Sequence, residues 1–469
     1  MMHVAMKHNG SNRVFRISAG LLLLALGLSG LAGYGRQQPG PAVVTEPAGT
    51  AGEKATADQQ QVKAPQAEAR YVLPLEKRAR AVAYSRAQYL IYFASLALSI
   101  GIYGLFWRAG FAVALRDWVR RVSRRRFVQS SLFAALFLAA VEVLELPLDY
   151  YGEFRLEHRF DLSTQGLGSW LADWTKNLGL TVLTGIILVW VFYWLVRRSP
   201  RRWWFYSWLA SIPLTLGFIL IGPYVVEPLF NRFTPLDKTQ PVLAGRIEKM
   251  LSRGGLAIPR SHIYEMNASA KTRIVDAYVS GLGASKRMVV WDTLLNKLDS
   301  DETLLVLGHE AGHYVLHHIP KEFALIELLF LVLSYVGFVV VNGILGRAGA
   351  RTSVEGAGDL ASLPIMLLVL TVLVFAASPG INGISRHYEH QADQFGLEVA
   401  YGTVADPNAA DIRAFQILGE EDLEDPDPNP FVRFWLYTHP PLDDRIRFAA
   451  SYRPWAEGKP CEFVPLARD

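Results

Sequence analysis

Six long apolar segments, at about 88–107, 127–149, 178–196, 203–226, 322–345 and 359–381, constrain this chain more than any other feature. Each comes near the ~20 residues that a helix rising 1.5 Å per residue needs to cross ~30 Å of hydrocarbon. Composition agrees: 51% of residues are hydrophobic and only 19% charged, too apolar for one soluble core in a chain of 469 residues. Trp, Tyr and Arg at the ends of the runs argue against buried helices of a large soluble protein. Glu142, Glu145 and Glu327 lie inside the runs. A carboxylate at membrane depth is costly, so these should face a polar interior or a partner, unless they sit near the headgroups.

The flanking segments are of different character. Residues 1–33 carry Lys7, Arg13 and Arg16 ahead of an apolar stretch ending in small residues, the make-up of a secretory signal or an N-terminal anchor. Tyr34 stands where lipoprotein processing would require a cysteine. Residues 34–70 are rich in Pro, Gly, Ala, Gln and Glu, and read as a disordered linker because they cannot bury enough apolar surface to fold. Spans 1–4 then occupy 71–226, a polar domain 227–321, spans 5–6 322–381, and the remainder of the polar domain 382–469. The net charge of +4 resides in arginine clusters beside apolar runs, which indicates membrane topology and no nucleic-acid footprint. Arg108 to Arg126, between spans 1 and 2, and Arg197 to Arg202, between spans 3 and 4, belong in the cytoplasm by the positive-inside rule. The acidic 150–177 loop and the polar domain then lie outside. The single cysteine, Cys461, permits neither an internal disulfide nor a thiolate zinc cage.

Within the polar domain stands His309-Glu310-Ala311-Gly312-His313. On a helix, positions i and i+4 share a face, so both imidazoles can reach one zinc ion while Glu310 points at a water on it. Asp299 or Ser300 can cap this helix, with Asp301 and Glu302 in its first turn, and it should stop before Pro320. His317 continues the i+4 series but lies about 12 Å along the axis from His309, too far to share the ion. Two short strands are expected nearby, 277–283 with a glycine turn and 288–291. A third ligand has to come from elsewhere. Glu389 follows the sixth span, and two intervening spans return it to the side of the histidines; His387 and His390 compete by residue type. Asp393, one turn beyond Glu389, can accept a hydrogen bond from a ligand imidazole and fix its tautomer.

Between Tyr71 and Phe448 the chain resembles the type-1 CAAX prenyl protease family of integral membrane zinc metallopeptidases. The likeness rests on Leu146-Pro147-Leu148-Asp149-Tyr150-Tyr151 leading into Glu157-His158-Arg159-Phe160, on Glu227-Pro228-Leu229-Phe230-Asn231-Arg232-Phe233-Thr234-Pro235-Leu236, and on the His309 motif. Ser378-Pro379, the Arg386 to Asp393 run, and His439-Pro440-Pro441 with Arg445 complete it. The resemblance implies a helical shell around a large interior chamber closed by the peptidase domain. It implies one Zn2+ per chain held by His309, His313 and Glu389, with Glu310 as base and His439 and Arg445 facing the substrate. An extended peptide would pair with the strand through Ala277, Tyr278 and Val279. Two departures stand out. Asp276-Ala277-Tyr278 replaces the family's usual Asn-Ala-Tyr, and family topology puts the peptidase side in the cytoplasm, against the charge count.

The expected architecture is therefore mainly α, a polytopic helical membrane bundle with a zincin-like peptidase domain carrying a small β element. The expected activity is zinc-dependent endopeptidase cleavage of a peptide or protein partner, with His439 or Arg445 supporting the oxyanion. Arg445 could instead pair with Asp443 or Asp444. A membrane metal transporter and a catalytically silent membrane scaffold are the rival readings. The transporter would place its ligands on spanning helices, and the scaffold has no need of Glu310. The export-like N-terminus suggests a bacterial cell membrane.

Overall fold

The computed structural model describes residues 69–281 and 286–465. The signal or anchor expected at 1–33 lies outside the described residues, as does the expected linker except for its last two positions. Six helical stretches are long and apolar enough to cross a membrane: Leu75–Arg108, Arg126–Arg159, Leu167–Arg198, Trp203–Val225, His318–Arg347 and Leu360–Ala400. Numbering helices of seven or more residues in chain order, these contain α1 (Leu75–Arg108), α3 (Arg126–Asp149), α4 (Leu167–Arg198), α5 (Trp203–Val225), α8 (His318–Thr352) and α9 (Leu363–Ala400). Between them lie α2 (Phe111–Val122), α6 (Pro241–Arg253) and α7 (Ser300–Val315), and after them α10 (Pro407–Glu421), α11 (Pro430–Leu436) and α12 (Leu442–Ser451).

The number of spans matches the sequence, but the helices overrun the apolar runs. The segment expected as a loop at 150–177 is largely helical: a π turn, Tyr150–Arg155, and the turn Leu156–Arg159 prolong α3, and α4 begins at Leu167. The overrun with most consequence is α9, which continues past 381 to Ala400 as one rod. Pro379 should break it, because its ring removes the N–H that would bond the carbonyl four residues earlier. That carbonyl, of Phe375, instead accepts from the Trp435 indole Nε1 at 3.2 Å.

Two carboxylates buried within the bundle have hydroxyl partners, which offset the cost of a polar group in hydrocarbon. Ser99 Oγ donates to buried Glu145 at 2.6 Å, and Ser211 Oγ to buried Glu327 at 2.7 Å. At the arginine-rich end, Arg116 donates to Asp359 at 2.5 Å, Arg120 grips Glu355 at 2.6 and 2.9 Å, and Arg197 donates to the Gly358 carbonyl at 3.0 Å. These contacts tie α2 and α4 to the entry of α9. Glu389 lies 26 positions after Leu363, a rise of about 39 Å, so it stands at the opposite end of the bundle from the arginine belt.

The polar domain carries a four-stranded sheet in the order β1-β2-β4-β3, with β1 Phe233–Pro235, β2 Ile263–Met266, β3 Ala277–Ser280 and β4 Arg287–Trp291. β2 runs parallel to β4, while β1 and β3 pair antiparallel to their neighbours. Only β3 and β4 were expected from sequence; β1 and β2 span three and four residues and include Pro235 and Glu265, too short for alternation to register. β3 is an outer strand of the sheet and packs against α7.

α7 starts with a capping box. The Asp299 carboxylate accepts from the backbone N–H groups of Asp301 and Glu302, both at 2.8 Å, and the Glu302 carboxylate accepts from Asp299 N at 2.9 Å. Such caps are typically worth about 1 kcal/mol each. The helix ends at Val315, and exposed His317 adopts the left-handed region, φ 57°. α8 restarts at His318, with Pro320 in its first turn where a missing N–H leaves no bond unmade.

Candidate active site

Glycines set how closely α7 meets α9. A Cβ on Gly396 would lie 3.0 Å from the backbone nitrogen of His309, and one on Gly312 3.1 and 3.2 Å from Phe395 Cβ and Ala392 Cα. A side chain at these points would push the helices apart by a few tenths of an ångström, so glycine lets the backbones approach and nearby side chains converge.

Three of them form one cluster. His309 Nε2 lies 3.1 Å from His313 Nε2 and 3.3 Å from Glu389 Oε2, and His313 Nε2 lies 3.4 Å from Glu389 Oε1. Zinc bonds of ~2.0–2.2 Å in a tetrahedron put ligand atoms about 3.3–3.5 Å apart, so this triangle has the dimensions of a metal face. Glu389 is fully buried and His313 nearly so. Among the described residues, these three side chains place their ligand atoms close enough together to hold one metal ion.

Proton placement favours the same conclusion. The His309 Nδ1–H donates to Asp393 Oδ1 at 2.7 Å, which leaves Nε2 as a lone pair in the neutral ring. Two facing Nε2 atoms beside a buried carboxylate need a cation between them. Burial acts to lower the His309 pKa, yet hydrogen bonds to Asp393 and Glu389 outweigh it and push it up to about 10. The cradle is an anionic pocket that holds either a proton or a metal ion.

The expected site residues otherwise fall as follows. Glu310, half-buried, follows His309 on α7. His439 Nε2 sits 3.2 Å from Glu389 Oε2, and its Nδ1 is 2.9 Å from Thr438 Oγ1, so this ring faces the cluster. Arg445 differs from expectation: its guanidinium neither lines an open face nor pairs with Asp443 or Asp444. It is 5% exposed and grips Asp393 with two bonds, 2.5 and 2.9 Å, on the Nδ1 side of His309 and 4.3 Å from the Phe415 ring centre. The attraction of a buried carboxylate outweighs that of solvated aspartates one or two residues away, because water screens the latter. His387 and His390 are exposed, and neither joins the cluster.

Ala277, Tyr278 and Val279 form β3 with their side chains buried. The Tyr278 hydroxyl donates to Glu227 at 2.6 Å, and Arg287 pairs with the same carboxylate. Burial raises the Glu227 pKa, with Arg287 and Tyr278 opposing. With the Tyr278 side chain so engaged, β3 can offer a peptide backbone bonds only. Sequence reading missed His318, whose ring sits behind His313, and buried Asp411, whose pKa burial and neighbouring Asp393 raise well above the usual range. His318 escapes a periodicity search because the break at His317 removes it from the helix that carries His313.

Known proteins resemble this chain in sequence and fold. Residues 237–453 match the model of peptidase family M48, and residues 57–232 match that of the CAAX prenyl protease N-terminal region of five membrane helices. The uncharacterized metalloprotease YhfN of Bacillus subtilis is 33% identical over 392 residues, 83% of this chain and 89% of that protein. The chain belongs to peptidase family M48. This M48 metallopeptidase, an integral membrane protein, is also 30% identical to the CAAX prenyl protease 1 homolog of Dictyostelium discoideum, over 64% of this chain and 69% of that one. The crystal structure of S. mikatae Ste24p shares its fold, with a TM-score of 0.68 at 24% identity, covering 81% of this M48 chain and 92% of that one.

Proposed function

We propose that this membrane metallopeptidase is a zinc-dependent endopeptidase in which His309, His313 and Glu389 hold the ion. One observation carries the reading: two imidazole Nε2 atoms and a buried carboxylate face one another at 3.1, 3.3 and 3.4 Å. The donor set, two imidazoles and one carboxylate, suits zinc with a position left open. Zinc bound there supplies Lewis acidity for the scissile carbonyl and acidifies water.

The chain's own residues divide the rest of the work. Glu310 takes the proton from water as its oxygen bonds to the carbonyl carbon, then hands that proton to the amine nitrogen as the C–N bond breaks. His439, with a ring nitrogen at the cluster, donates to the oxyanion. Asp393 holds the His309 tautomer, and Arg445 holds Asp393, which makes Arg445 a positioning residue. β3 aligns an extended peptide through its backbone. The transporter reading fits less well, because α7, which carries both histidines, is not among the helices suited to crossing a membrane.

The arginine belt and the cluster occupy opposite ends of the bundle, which supports a peptidase side outside the cytoplasm of a bacterial membrane. Relatives named CAAX prenyl protease support a membrane-associated peptide or protein as substrate. Metal analysis and hydrolysis of a fluorogenic peptide by purified protein test the reading. Glu310→Gln should keep zinc and lose turnover, and His309→Ala should lose both; turnover by the Gln variant would sink the assignment.

A further inference from the structure

His313 is held from behind by a contact unlike that of His309. Its Nδ1 lies 3.2 Å from Nδ1 of His318, and Nε2 of His318 lies 3.1 Å from Oε1 of Gln391. His318 is 1% exposed, and its ring stacks on Tyr388, centroids 4.5 Å apart and planes inclined by 14°. Two ring nitrogens in contact and a stacked face leave this ring little freedom to rotate.

Protons can run only one way along this line if His313 is to bind metal through Nε2. Its proton then sits on Nδ1 and is donated to Nδ1 of His318, which has to present a lone pair. A neutral His318 with a bare Nδ1 carries its proton on Nε2, and that proton goes to the Gln391 oxygen. Each group thus has one tautomer and one orientation. Gln391 lies on α9 two residues beyond Glu389, so the line joins a ligand on α7 to the helix that supplies the third ligand.

We propose that His318 is a positioning residue for the metal, a neutral imidazole that accepts from His313, is fixed in turn by Gln391, and so keeps His313 Nε2 aimed into the cradle. The proposal rests on the zinc reading above. It also makes the two imidazole ligands unequal: His309 is backed by an ion pair, Asp393 with Arg445, and His313 by an uncharged chain. A carboxylate behind each histidine would add a third buried carboxylate to a site that already holds Glu389 and Asp393. The neutral acceptor orients the ring without that charge.

The test measures zinc per chain and the rate of zinc release to a chelator in wild type, His318→Phe, His318→Asn and Gln391→Leu, together with the Tm of each metal-free protein. Loss of an outer-shell partner typically weakens metal binding about 10–100-fold. His318→Phe should release zinc faster by that factor with the metal-free Tm unchanged. His318→Asn, which keeps one acceptor and one donor, should recover most of the loss, and Gln391→Leu should fall between. Zinc release at the wild-type rate from His318→Phe overturns the proposal, as does faster release matched by an equal fall in metal-free Tm or not rescued by Asn. Should His318→Phe fail to fold, Gln391→Leu decides: release at the wild-type rate overturns it. A wild-type protein that binds no zinc would instead refute the metallopeptidase reading, a separable outcome.

Discussion

Asp393 Oδ1 receives the Nδ1 proton of His309 at 2.7 Å while the same carboxylate is gripped by Arg445 at 2.5 and 2.9 Å. Two groups, from α9 and α12, thus fix the imidazole that α7 carries. Because Asp393 and Arg445 are both buried, removing one leaves the other as an uncompensated charge, typically at about 3–5 kcal/mol.

Arg445→Ala and Asp393→Asn should therefore each lower stability, since either leaves a buried charge unpaired, although Asn keeps an acceptor for the His309 proton. Asp393→Ala should cost about 10–100-fold in metal affinity. Thermal melts with and without zinc, plus chelator competition, read both effects. Arg445→Ala with a wild-type melt would contradict the buried pair.

The close contact of α7 with α9 gives a second expectation. Gly396→Ala puts a methyl 3.0 Å from the His309 nitrogen and 3.4 Å from the Leu305 carbonyl oxygen, backbone atoms that cannot swing aside. The helices have to separate by a few tenths of an ångström, and Glu389 moves with α9. Gly396→Ala should weaken zinc retention, and Gly396→Val should abolish it. Equal zinc content in both variants would show that the seam tolerates bulk.

Proton linkage supplies the third. Burial lowers the His309 pKa, but Asp393 and Glu389 raise it overall to about 10 in the metal-free cradle. A protonated ring cannot bind metal, so binding should release close to one proton and gain about tenfold in affinity per pH unit below that value. Without metal the raised pKa stabilises the fold fully below the ordinary histidine value of about 6.5, and that contribution fades as pH climbs towards 10. Calorimetry in buffers of different ionisation enthalpy measures the proton count; a count of zero at pH 7.5 would remove the anionic cradle.

Orientation can be read from Cys461, the single cysteine of the chain. It precedes Glu462, whose N–H donates to Glu398 near the end of α9, on the peptidase side. Burial and Glu398 raise its pKa, so labelling will be slow near neutrality and is best done at alkaline pH. A membrane-impermeant maleimide should modify it in intact bacterial cells. Modification only after permeabilisation would place the peptidase side in the cytoplasm.

Much of this arrangement is legible in residue order, because water and lipid impose strong local rules. Apolar runs of span length announce the six crossings, and Asp299 with Glu302 announces the start of α7. Long-range choices are less visible. That Arg445 would prefer Asp393 to its neighbours Asp443 and Asp444 depends on burial, which no spacing encodes. That α9 would run through Pro379 depends on an indole from Trp435, 60 residues distant, taking up the orphaned carbonyl. Glu389 could be placed on the correct side by counting spans, but its preference over His387 and His390 came from family likeness. β1 and β2 are too short for any pattern.

The unbroken α9 makes the bilayer itself a measuring device. Its apolar run ends near residue 381, and Glu389 stands eight residues, or about 12 Å, further along the same rigid shaft. On the proposed zinc endopeptidase reading, a scissile bond would have to reach that height above the acyl chains, whatever side chains flank it. Polypeptides tethered to lipid by a short arm would meet the blade, while segments still submerged or floating well clear would pass it by.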